Sequence, residues 1–101
     1  MKGLGNWFDA RDAVDFGESL AAFFVERIST DAALKDDKKS TAKRREVLNK
    51  MSQQVVRFKL EHKTNMYQRA KFANSFKWKL RDAGYESSFV DSVTKFVLLQ
   101  F

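Results

Sequence analysis

Apolar residues recur along this chain at steps of three and four, the rhythm of an amphipathic α-helix. Leu48, Met51, Val55, Phe58 and His62 follow one another at spacings of 3, 4, 3 and 4. A second stripe comprises Met66, Ala73, Phe76, Leu80 and Ala83, with Phe72 at its edge. The two stripes are in phase. Counting on from Phe58, positions 62, 65, 69, 72, 76, 79 and 83 keep the same beat. Residues 40–83 therefore read either as one helix of about 65 Å, at 1.5 Å per residue, or as two helices. The break would fall at "KTN", with Thr64 or Asn65 capping the second. The phase match and the absence of Gly and Pro favour continuity, whereas the size of the domain favours a break.

A helix is also predicted over residues 9–29. Asp9 suits its N-cap, and Asp12 sits near the positive helix end. Phe16, Leu20, Phe23, Phe24 and Ala13 share one side. Gly17, Ile28, Ala21, Val14 and Val25 widen that side beyond half the circumference. An arc this wide exceeds the stripe of an ordinary surface helix, so contacts with neighbours on two sides are expected. Residues 29–41 are the most polar segment and read as a linker with one turn near 32–34. The next helix is expected to begin between Asp37 and Thr41.

Gly84 fits the C′ position of a helix, where a left-handed backbone is needed, with Tyr85 at C″ packing on Leu80. Ser87 or Ser88 then starts a last helix, with Asp91 three residues after Ser88 in capping-box fashion. Its apolar face is Phe89, Val90, Val93, Phe96 and Val97, and Leu98, Leu99 and Phe101 make its end apolar nearly all round. The expected fold is all-α: one domain over residues 1–101, a bundle of three or four helices, with one long central helix as an option.

Composition adds limits to this pattern. A chain of 101 residues is one domain. With 44% hydrophobic residues and ten Phe, it is too apolar for a disordered chain. There is no cysteine, which excludes disulfides and thiolate metal sites. The first residues, "MKGLGNWFDARD", lack an apolar core, so no signal peptide is expected. The longest apolar run, "LAAFFV", is far shorter than the roughly 20 residues a span requires. A soluble, cytoplasmic protein with no membrane partner is the expectation.

The net charge of +6 is unevenly distributed. Residues 1–37 carry a net −4, residues 38–81 a net +12 and residues 82–101 a net −2. The basic middle either meets an external polyanion or lies beside the acidic first helix.

Two surfaces follow from the helical wheel. Tyr67, Lys71, Asn74 and Trp78 form a stripe opposite the Phe76–Leu80 face, flanked by Lys77 and Arg81. If the helix is continuous, Val56 and Leu60 extend this stripe backward. Two aliphatics in line with two aromatics suit a packing face, inside the bundle or between subunits, and Trp78 is then expected to be shielded. Aromatics among cations also suit a single-strand platform, on which Trp78 would be solvated. Trp7 is the second indole of the chain. The other surface is a basic ridge of Lys43, Lys50 and Arg57, about 21 Å long, with Lys39 nearly in line. It reads as a solvated face or as a phosphate-tracking row. Arg69 interrupts the core stripe and is open to a kink, an ion pair or a register-setting role.

Catalytic and metal chemistry find little support. His62 is the only histidine; its expected state is partly buried and hydrogen-bonded to backbone. Asp12, Asp15 and Glu18 cluster on a polar helix side, where acids suit the macrodipole more readily than a cation site. No GxGxxG, Walker, GxSxG or EF-hand pattern occurs. The expectation is a non-enzymatic helical interaction domain, with no cofactor, metal or small-molecule substrate. Its expected partner is itself, as a homo-oligomer, or another protein. The alternative is nucleic-acid binding through the ridge and the interleaved aromatics.

Overall fold

The computed structural model describes residues 9–101; Trp7 and the start of the chain lie outside them. The described residues form five helices and no strand: α1 (Arg11–Arg27), α2 (Thr30–Leu34), α3 (Lys38–Glu61), α4 (Met66–Asp82) and α5 (Ser87–Leu98). None is long and apolar enough to cross a membrane. Four are long, and the fifth, α2, is the single turn foreseen in the polar linker.

The caps explain the boundaries. Asp37 accepts the Ser40 N–H at 2.8 Å and starts α3. Asn65 and Gln68 form a reciprocal capping box: Asn65 accepts the Gln68 N–H at 2.8 Å, and Gln68 accepts the Asn65 N–H at 3.0 Å. Two helix-end donors are thus satisfied at once, and the central region is two helices rather than one. At the first helix, Ala10 holds the N-cap place and Asp9 sits one residue earlier, accepting the Arg11 N–H at 3.1 Å. Glu86, not a serine, caps α5 through the Phe89 N–H.

Gly84 has φ +97°. Its N–H donates to the Arg81 carbonyl at 3.0 Å, and Tyr85 N–H reaches the Leu80 carbonyl at 3.3 Å. These two bonds complete the Schellman motif that ends α4.

Three hydrogen bonds fix how α1 and α4 lie. Gln68 donates to the Asp9 carbonyl, Ser75 to the Val14 carbonyl and Tyr85 to the Ile28 carbonyl. Both numbers rise together, so the two helices run parallel. They approach closely at Gly17, where an added Cβ would stand 2.1 Å from Ser75 Oγ and 2.7 Å from the Phe72 carbonyl oxygen. Helix α3 runs antiparallel to α1, with Phe58 stacked on Phe16 at 4.3 Å between centroids and Arg44 bonded to the Ala32 and Lys35 carbonyls at 2.8 Å. Helix α5 runs antiparallel to α4, and its following turn returns to α3 through Ser52 and Gln100.

Contacts therefore close into a ring, α1–α4–α5–α3, with α3 and α4 on opposite corners. The core inside it includes Leu20, Phe24, Met51, Val55, Phe72, Phe76, Leu80, Val90 and Val97, all fully buried. The wide apolar arc of α1 is accounted for, since α1 packs on both α3 and α4. Phe101 wedges against Phe58 and Phe72, closing one end.

Several expected core positions are corrected. Met66 and Ala83, at the two ends of α4, face solvent. Val47 is buried where Leu48 is only half-buried. Thr94 joins the core of α5, its hydroxyl satisfied by the Val90 carbonyl at 2.7 Å.

Candidate functional site

On α4 the core side is set by Phe72, Phe76 and Leu80. At 100° per residue the opposite side carries Tyr67, Lys71, Asn74 and Trp78. The structure keeps these four on one solvent face, with Tyr67 40% and Trp78 65% exposed. Lys71 Nζ lies 5.8 Å from the centroid of the Tyr67 ring. Trp78 is therefore not shielded inside the bundle, which corrects that part of the sequence expectation.

Val56 and Leu60 do not extend this stripe. The break at residues 62–65 places them on α3, at the opposite corner of the ring, although both are exposed. The predicted surface is divided between two helices, because continuity of phase is not continuity of helix.

Trp78 borders an open groove of about 490 Å³ between α1 and α4, lined also by Glu18, Ser75, Lys79 and Asp82. On its other flank Asp91 of α5 stands 3.6 Å from Lys77 Nζ and 3.9 Å from Arg81. Asp91 thus acts across helices rather than as the capping-box acid. Three cations and three carboxylates surround the indole: Lys77, Lys79 and Arg81 against Glu18, Asp82 and Asp91. With Lys71 on the same face, the patch is close to neutral in a chain whose net charge is +6.

Lys43, Lys50 and Arg57 are all exposed on α3. Lys50 pairs with Glu46 at 3.7 Å. Among the described residues, Lys43 and Arg57 have no carboxylate within 4.0 Å. The ridge and the α4 aromatics lie on opposite corners of the ring, so they do not form one surface. Nor does acidic α1 neutralise the ridge, although it packs beside α3: among the described residues the one acid–base contact between them joins Asp12 to His62, the C-cap of α3, at 3.7 Å.

His62 is half-buried and stacks on Phe58 at 4.5 Å between centroids. Its ring partners are thus Asp12 and Phe58, in place of the expected backbone carbonyl. Arg69 is half-buried in the second turn of α4, with no carboxylate within 4.0 Å among the described residues. No kink is needed there, because the helix begins at Met66. Asp12, Asp15 and Glu18 are exposed along α1.

Sequence reasoning missed Gly17, Ser75 and Arg44 as fold-positioning residues. Arg44 satisfies carbonyls at the end of α2, a role no local pattern announces.

Comparison of the chain with protein-family models, curated proteins and solved structures finds no match.

Proposed function

We propose that this chain is a non-enzymatic interaction module that self-associates through the exposed face of α4. The observation that carries the reading is Trp78: a large aromatic, 65% exposed, flanked by charges of both signs. Exposed Trp and Tyr with a polar rim are the anatomy of a protein interface. The charge balance selects the occupant. Two copies of a +6 chain repel through their net charge, and the near-neutral Trp78 patch adds no local repulsion to it. A patch bearing both signs is self-complementary across a twofold axis, where residue i of one copy meets j of the other.

Sedimentation equilibrium tests this. A mass that rises toward the dimer across about 1–100 μM supports the reading, provided Trp78→Ala returns the chain to monomer with an unchanged far-UV circular dichroism spectrum. A chain that stays monomeric over that range, or a Trp78→Ala chain that still dimerises, overturns it.

A further inference from the structure

Six of the eight basic residues of α3 are arranged in two rows rather than one; Arg44 and Lys59 bond instead to the Ala32 and Lys35 carbonyls and to the Gln100 carbonyl. Val47, Met51, Val55 and Phe58 turn inward. At 100° per residue, the direction opposite them runs through Ala42, Asn49 and Gln53, all exposed. To one side of this strip lie Lys38 and Arg45. To the other lie Lys39, Lys43, Lys50 and Arg57. All six are exposed. The rows are separated by about 120–130° around the helix axis.

We propose that α3 is a groove-binding helix for duplex nucleic acid, with DNA as the fitting form. A helix with its side chains is about 10–12 Å across, and the DNA major groove is about 12 Å wide and admits one helix. Cations on both flanks then face the phosphates of both groove walls. Asn49 and Gln53, on the central strip, face the base edges. Their amides both donate and accept, as pairing with adenine N6 and N7 requires. The first buried residue of α3 is Val47. Of the nine residues before it, Ser40, Thr41 and Arg44 are half-buried and Arg44 ties the segment to α2, whereas the four flanking cations among them, Lys38, Lys39, Lys43 and Arg45, are all exposed. Two carboxylates lie among the cations: Glu46, held by Lys50 at 3.7 Å, and Glu61 at the far end of the helix, beyond Arg57.

This surface is independent of the α4 face, and either assignment survives failure of the other. The single-strand platform is not part of it, because Tyr67 and Trp78 lie on the opposite corner of the ring.

Fluorescence anisotropy with a labelled 16-base-pair DNA duplex tests the arrangement. Saturable binding at low salt is expected, with a log–log salt slope of about −5 if all six cations meet phosphates. Lys43→Glu and Arg45→Glu, one from each row, should each weaken binding about tenfold or more and flatten the slope by about one. Both residues are exposed, so circular dichroism should be unchanged in each variant. Asn49→Ala should narrow the difference in affinity between duplexes of different sequence. Four outcomes overturn the proposal: no saturable duplex binding at about 50 mM salt, full binding by Arg45→Glu, equal affinity for a single strand, or equal binding to anionic phosphatidylserine vesicles.

Discussion

The backbone of Gly17 lies directly against Ser75, so that a methyl group at Gly17 would stand 2.1 Å from the Ser75 hydroxyl. The same hydroxyl donates to the Val14 carbonyl at 3.0 Å. One small residue on each helix thus sets how closely α1 and α4 approach.

Gly17→Ala should therefore destabilise the fold by about 1–3 kcal/mol, the usual cost of overpacking, despite the roughly 1 kcal/mol that Ala gains in helix propensity. Urea denaturation measures this. Adding Ser75→Ala should restore only part of the loss, because the Phe72 carbonyl remains 2.7 Å from the new carbon. Full tolerance of Gly17→Ala would mean that the two helices are further apart than described.

Gly84→Ala probes a different cause. A Cβ there has room, with Thr30 Cγ2 at 3.8 Å as its nearest neighbour, but the backbone sits at φ +97°. The expected loss is about 1 kcal/mol, arising from conformation alone. An unchanged unfolding midpoint would contradict the left-handed C′ geometry.

Tyr85 is buried, and its hydroxyl donates to the Ile28 carbonyl beyond the end of α1. Tyr85→Phe keeps the ring contacts with Phe24 and Phe89 but leaves that carbonyl without its donor. A loss of about 1–3 kcal/mol is expected in thermal or urea unfolding. A neutral substitution would show that water replaces the hydroxyl.

Acid should loosen the helix starts. The Ser40 N–H and hydroxyl hold Asp37 below its ordinary value of 3.8, and Ser88 with the Phe89 N–H holds Glu86 below 4.5. The Arg11 guanidinium and N–H bring Asp9 down to about 2. Carboxylates depressed by folding contribute stability that is fully present above their unfolded values and lost as pH falls through the folded ones. Stability should hold near pH 6 and decline below about pH 4. Amide protection at Ser40 and Phe89, measured against the intrinsic exchange rate at each pH, should fall in the same window. Protection at both that holds unchanged down to pH 2 would remove the capping role.

The sequence made the helices legible but left their junction open. Residues 62–65 kept the three–four beat by coincidence, since any two amphipathic helices have some chance of sharing phase. The break was nonetheless written in "NMYQ", a reciprocal cap with Asn and Gln in place of the commoner Ser and Glu. Gly84 was readable because its constraint is local. Gly17 was not, because its reason for being glycine lies on α4. The α4 stripe was readable as one face of a single helix, and its solvation depended on which corner of the ring α4 occupies. The charge balance around Trp78 was hidden for the same reason, since Glu18 and Asp91 come from α1 and α5.

The parallel pairing of α1 with α4 bears on the order of assembly. Neighbouring helices in sequence close short loops, whereas this pair must first enclose all of α2 and α3, and loop closure grows costlier with the length enclosed. Contacts so distant along the chain slow folding relative to a simple up-and-down bundle. The α4–α5 hairpin, closed by the turn at Gly84, is the expected early unit, with α1 expected to dock onto it late. Substitutions at Gly17 should accordingly accelerate unfolding more than they retard refolding, making this tight approach of α1 to α4 the last to be won and the first to be lost.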